Sequence, residues 1–201
     1  MPTPQQIVDF TEPPAPEGRS PFVRPQRVAP VAVVAYDERW PAVAAELDAR
    51  VRGALGARVI QLEHVGSTSV PGLPAKPVID LDLTVADPER EEAWLPQLEA
   101  AGFELTVREP WWHGHRCLYL ESPRANLHVF GPSSPELFKH RIFRDWLRTD
   151  AADRARYAEV KASAALAATE AGETIMQYNA RKAEVILAIY ERAFRAAGLL
   201  D

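Results

Sequence analysis

The chain has almost no cysteine, no surplus of positive charge and no long hydrophobic run, and each shortage removes a class of protein. Its single cysteine among 201 residues, Cys117, rules out an internal disulfide and a zinc site built on several thiolates. It lies in Arg116-Cys117-Leu118-Tyr119-Leu120, which reads as a strand, and is expected to be a small buried hydrophobe rather than a nucleophile. Net charge is −5, so no global basic field draws long nucleic acid to the surface. No apolar stretch approaches the ~20 residues that cross a bilayer, which argues against a membrane protein. The start, with Pro2, Pro4 and Asp9, lacks the basic segment and apolar core of a secretory signal, so the cytoplasm is the expected location.

What remains is an ordinary globular composition, 47% hydrophobic and 25% charged, long enough for one sizeable core. Prolines are unevenly spread: eight of the eighteen fall in residues 1–30. That density disfavours regular helix, so residues 1–30 are expected to be a proline-rich, largely disordered tail, followed by one domain over 31–201. Asp37 is expected to cap a helix in which Trp40, Val43, Leu47, Val51 and Leu55 form one buried stripe, ended by Gly56. Strands are expected at 59–65 and 78–85, a second helix at 89–101, and strands at 103–108, 116–121 and 126–130. After Pro135 the apolar spacing is helical to the end. The fold class is therefore α+β: a small mixed sheet flanked by helices, with a helical C-terminal part.

The densest chemistry lies in His64-Val65-Gly66-Ser67-Thr68-Ser69-Val70-Pro71-Gly72 and, with twelve residues between Ser67 and Asp80, in Asp80-Leu81-Asp82. Alternation along a strand puts Asp80, Asp82 and Thr84 on one face and Ile79, Leu81, Leu83 and Val85 on the other. Residues two apart on a strand are about 6.5–7 Å apart, close enough for their carboxylates to hold one hard cation or flank two. Backbone amides around Gly66, with Ser67, Thr68, Ser69 and Gly72, supply donors suited to phosphate. A bare Asp-x-Asp or Gly-Ser reads more simply as a solvated edge and a tight turn; together at this spacing they favour chemistry.

A Gly-Ser turn followed by a strand with two alternate carboxylates resembles the signature of the DNA polymerase beta-like nucleotidyltransferases. More narrowly, the run from Glu63 to Asp80 resembles the GrpB family of bacterial proteins. Tyr36-Asp37, Trp40-Pro41, His115-Arg116, Asn126-Leu127-His128-Val129, Phe143-Arg144-Asp145-Trp146-Leu147-Arg148, and the pairs Tyr157/Lys161 and Tyr178/Lys182 match that family's spacing over residues 31–195. The resemblance implies a nucleotidyltransferase core and transfer of a nucleotidyl group from a nucleoside triphosphate, with magnesium or manganese, to a small-molecule or protein acceptor. Asp80 and Asp82 would be metal ligands and catalytic. Gly66, Ser67, Thr68, Ser69, Lys76, Arg144, Lys161 and Lys182 would contact the nucleotide. Where the superfamily carries a third carboxylate, this chain has Leu127-His128-Val129; His128 is expected as a third metal ligand or a general base. Glu63 and Glu121 are the alternative acids. GrpB-like domains also occur fused to dephospho-coenzyme A kinase, so the resemblance equally implies a silent accessory module with a protein partner, or a biosynthetic group-transfer enzyme using the same pocket.

Other residues carry weaker expectations. His113, His115 and His128 fit no common zinc spacing. His115 and Arg116 face opposite ways, so one at most meets the aspartates, whereas Asn126 and His128 share a face. Arg141, Arg144 and Arg148 form a stripe on the helix from 136 to 148, which suits either a solvated face or phosphate contacts. Lys182 stands on a largely apolar face, where a charge requires an acid or a polar cleft. Trp111-Trp112 suit either base stacking or a core role.

Overall fold

The structure is a computed structural model that describes residues 1–25 and 31–201. Its helices and strands follow the order α1 (Pro4–Val8), α2 (Trp40–Leu55), β1 (Gln61–Val65), β2 (Ile79–Thr84), α3 (Leu95–Ala100), β3 (Glu104–Glu109), β4 (His115–Leu120), β5 (Ala125–Phe130), α4 (Glu136–Thr149), α5 (Ala151–Glu170), α6 (Ile175–Ala180) and α7 (Ala183–Ala196). The α+β class and the order of elements follow the sequence expectation.

The five strands form one mixed sheet in the order β1-β2-β5-β4-β3. Only β2 and β5 run parallel, and their register sets Asp80 beside Asn126 and Asp82 beside His128. Antiparallel β1 sets Val65 beside Asp80 and Glu63 beside Asp82. One face of the sheet is hydrocarbon: Leu62, Ile79, Leu81, Leu83, Leu118, Leu127 and Val129 pack with Trp40, Leu47, Val51 and Leu55 of α2 and with Trp94 and Leu98 around α3. That cluster is the main core. The opposite face carries Asp80, Asp82, Asn126 and His128, and the C-terminal helices close over it.

Three local expectations need correction. The N-terminal segment was expected to be extended, yet residues 4–8 make a helical turn. Thr3 and Gln6 form a reciprocal capping box, and Pro4 occupies the first turn, where a missing N–H is harmless. Ile7 buries against Tyr190 and Phe194 of α7, and Phe10 meets the Tyr190 ring edge-on at 4.9 Å. Residues 26–30 of the expected tail lie outside the described residues. Asp37 does not cap α2: Arg39 holds that position, and the Asp37 carboxylate takes the Arg39 amide and guanidinium instead. The expected helix at 89–101 shortens to a 3₁₀ turn at 91–93 and α3, with Trp94 at a non-helical φ of −142° between them and Glu91 bonded to Arg108 and Arg116 of the sheet.

Candidate functional site

The Gly-Ser turn sits where the sequence places it, against β2. Gly66 has φ 66°, and a Cβ there would collide with the Asp80 carboxylate and stand 2.9 Å from its Cβ. Only glycine permits that approach. A 3₁₀ turn follows at Ser67–Ser69 and separates the four polar residues by role. Gly66 and Ser67 line the pocket, and the Ser67 hydroxyl pairs with Tyr157. Thr68 and Ser69 turn inward: Thr68 Oγ1 bonds His64 Nε2 at 3.0 Å, and Ser69 Oγ donates to the Gly66 carbonyl at 2.6 Å. These two side chains shape the turn rather than face a ligand. Two arginines brace it from outside. Arg148 donates to the Ser69 carbonyl. Arg144 lines the pocket but is held by Glu63, Asp145 and the His64 carbonyl. The basic stripe is thus structural at both positions, and Glu63 is committed to Arg144. Glu121 is exposed after β4, paired with Arg124 at 3.8 Å, and does not line the pocket.

The acidic face is threaded by side-chain hydrogen bonds. Asn126 Nδ2 donates to Asp80 Oδ1 at 2.8 Å. Asp82, 1% exposed, pairs its Oδ2 with His140 Nδ1 at 2.8 Å, while its buried Oδ1 has no protein partner. His140 comes from α4 and carries no motif in the sequence around it, so the sequence reading missed it. Desolvation works against its proton, but Asp82 outweighs that and raises its pKa. His128 Nδ1 lies 3.0 Å from His115 Nε2, and His115 Nδ1 lies 2.8 Å from Glu109 Oε2. Burial takes His115 down to about 4, so that ring is neutral near pH 7. Desolvation opposes charge on His128 as well, yet Cys117, Asp82 and Asp80 together move its pKa upward. The half-buried Trp112 ring packs edge-on against His115 at 5.1 Å and against Phe130 at 6.1 Å.

The facing wall is helical and cationic. Lys161 of α5 and Lys182, the residue before α7, are 2% and 7% exposed, and both line the same pocket as Asp80, together with Lys76. Lys161 Nζ donates to the Pro74 carbonyl at 2.6 Å. Lys182 and Lys76 lie over the Tyr178 ring at 4.1 and 5.1 Å, and Lys161 over Tyr157 at 5.1 Å. No carboxylate bonds any of the three among the described residues. Burial, then the neighbouring Lys182, brings Lys161 down to about 7; burial, then Lys76, brings Lys182 to about 8. The pocket between the two walls has a volume of about 410 Å³, and Val78, Phe143, Leu147, Ile175, Ile186 and Tyr190 give it an apolar flank. Lysines bonded to no carboxylate thus face a strand of acids across one pocket, an arrangement whose chemistry suits an anion.

Comparisons with known proteins bear on family and fold. The family model described as "GrpB protein" matches residues 30–192. This chain belongs to the GrpB family. It is 40% identical over 165 residues to UPF0157 protein BH1888 of Halalkalibacterium halodurans, covering 82% of this chain and 83% of that one. The solved structure of conserved protein GrpB from Enterococcus faecalis superposes with a TM-score of 0.73 at 28% identity, over 83% of this chain and 99% of that one. The Cid1 poly(U) polymerase, solved with magnesium 3′-dATP, superposes with a TM-score of 0.52 at 14% identity, over 74% of this chain and 49% of its own. This last likeness concerns the fold alone: the GrpB chain has a nucleotidyltransferase-like fold. A dephospho-CoA kinase of Mycolicibacterium paratuberculosis is 32% identical over 162 residues, and the match spans 40% of that kinase and 68% of this chain. No helix among the described residues is long and apolar enough to cross a membrane.

The GrpB fold therefore brings Asp80, His128, Gly66, Ser67, Lys76, Arg144, Lys161 and Lys182 around one space; Asp82 is buried and bonded to His140, which lines that space, and Thr68 and Ser69 bond within the turn. The expected three-residue metal set is not assembled. Among the described residues no three His, Cys, Asp or Glu form a group able to hold a metal ion. The two carboxylates still suit one hard cation, since Asp82 Oδ1 is a buried oxygen lacking any donor.

Proposed function

We propose that this GrpB protein binds a nucleoside triphosphate in the pocket and transfers its nucleotidyl group to a small-molecule or protein acceptor. The observation that carries the reading is the set of three lysines, Lys161 and Lys182 buried and Lys76 half-buried, that line the pocket with Asp80 and bond no carboxylate among the described residues. Positive charge taken out of water is costly unless an anion arrives, and a polyphosphate supplies several negative charges. The exposed Gly66 and Ser67 amides add donors of the kind that cradle phosphate. Asp80 and Asp82 would hold a divalent cation, which when bound neutralises charge on the phosphate oxygens.

In this reading the acceptor oxygen or nitrogen bonds to the α-phosphorus, the bond to the bridging oxygen breaks, and pyrophosphate leaves with its charge held by the lysines. The apolar flank takes the nucleoside. A net charge of −5 argues against a long nucleic acid as acceptor.

A second reading, that of an accessory module, is favoured by two observations: histidine replaces the third acid on β5, and a dephospho-CoA kinase contains a similar segment. Calorimetry with ATP, GTP, CTP and UTP, with magnesium or manganese and then with EDTA, separates the two. A nucleotidyltransferase binds at least one triphosphate more tightly with metal, and the Asp80→Ala/Asp82→Ala variant loses that increment with its melting temperature unchanged or raised. Equal metal-dependent binding by the double variant defeats the transferase assignment. Absence of all nucleotide binding favours the accessory role.

A further inference from the structure

Glu109, His115 and His128 belong to three neighbouring strands, β3, β4 and β5, and their side chains meet on the polar face of the sheet. Glu109 is the cross-strand partner of His115. The separations are 2.8 Å from Glu109 Oε2 to His115 Nδ1 and 3.0 Å from His115 Nε2 to His128 Nδ1. The chemistry of the donors fixes the direction of this chain. An ionised carboxylate only accepts, so the hydrogen lies on His115 Nδ1. A neutral imidazole with hydrogen on Nδ1 has a lone pair on Nε2, so His128 Nδ1 must donate to it. One ring nitrogen of His128 then remains for the pocket that this residue lines, and it is Nε2.

Packing holds the arrangement. The His115 ring is 5% exposed, stacked on Phe130 at 4.8 Å and 25° and on His128 at 5.3 Å and 21°. A histidine kept only to fill the core needs no carboxylate behind it and no second imidazole in front.

We propose that Glu109 and His115 are positioning residues: as a hydrogen-bonded relay they fix the ring of His128 and present its Nε2 to the nucleotide bound beside Asp80 and Asp82. The proposal rests on the nucleotide reading above. It gives a role to two residues that touch no ligand, and it explains how histidine serves at a sheet position where the superfamily places an acid.

The test uses the full chain labelled with ¹⁵N. Long-range ¹H–¹⁵N spectra report which nitrogens of each imidazole carry hydrogen, and His128→Gln assigns the His128 signals among the five histidines. Wild type should show hydrogen on His128 Nδ1 and on His115 Nδ1. His115→Leu should move the His128 nitrogen shifts and weaken binding of ATP with magnesium by about tenfold or more, the size of one lost hydrogen bond to a charged group. His115→Gln, whose amide oxygen still accepts from His128, should return both the shifts and the affinity to within about threefold of wild type. A bare Nδ1 on His128, unchanged shifts in His115→Leu, or moved shifts with undiminished ATP binding would each overturn the proposal. If wild type binds another of the four triphosphates and not ATP, the affinities are read with that nucleotide; if it binds none of the four, the transferase reading falls by that result, and the ring-nitrogen shifts alone decide whether the relay exists.

Discussion

Strand β2 turns Leu81 and Leu83 to one side and Asp80 and Asp82 to the other, and the two sides differ in what covers them. Both Leu83 and Asp82 are almost wholly shielded from solvent. Around Leu83 everything is hydrocarbon, the ordinary source of stability. Asp82 has the His140 imidazole on one carboxylate oxygen and His128 as its cross-strand neighbour, and its other oxygen has no donor. An unsatisfied buried oxygen costs about 1–3 kcal/mol, so the polar side spends stability that the apolar side supplies. The difference teaches where to look for function: burial alone does not mark a core, and a buried face that is poorly satisfied marks a place prepared for something else.

The largest effect that would sharpen this contrast is Leu83→Ala. It should lower unfolding free energy by about 2–5 kcal/mol in urea titrations while leaving ATP affinity unchanged at temperatures where the protein is folded. A loss below about 1 kcal/mol would show that the apolar side does not carry the fold. Next comes Lys161→Met, which removes a buried cation. Stability should hold or rise, and affinity for ATP with magnesium should drop about tenfold or more. A variant that loses stability and keeps affinity would reverse the assignment of the two faces.

The smallest effect is a dependence on pH with opposite signs. Lys161 and Lys182, at about 7 and 8, lie below the ordinary 10.5 of lysine. Above pH 7 the unfolded chain therefore retains protons that the folded chain has released, so the contribution of this pair to stability rises with pH up to the unfolded value. Affinity for a phosphate anion should fall several-fold between about pH 6.5 and 9, as the same two charges disappear. Urea titrations and calorimetry at both ends of that range check the pair of signs; affinity that climbs with pH would remove the lysines from the site.

Much of this was legible in the chain itself. The alternation of Val78 to Val85 gave both faces of β2. The position of Lys182 among apolar neighbours gave away the cleft, because a charge packed against hydrocarbon alone would be too costly to keep. What failed was reasoning from local pattern about partners far away. The arginines at 141, 144 and 148 read equally as a solvated face or phosphate contacts; only the fold shows Arg144 bonded to Glu63 and the His64 carbonyl of β1 and Arg148 to the turn that follows. His140 lies 58 residues from Asp82, on a helix whose spacing announces only amphipathicity. The N-terminal helical turn had a readable signal in Thr3-Pro4-Gln5-Gln6, a capping box hidden by the weight given to proline.

That N-terminal turn has a practical consequence. Phe10 and Ile7 support Tyr190, which forms part of the pocket wall, and Phe194 completes the same aromatic group. A recombinant protein trimmed to the family-matched residues 30–192 would lose Ile7, Phe10 and Phe194 together, leaving Tyr190 without its backing and one side of the ligand cavity slack.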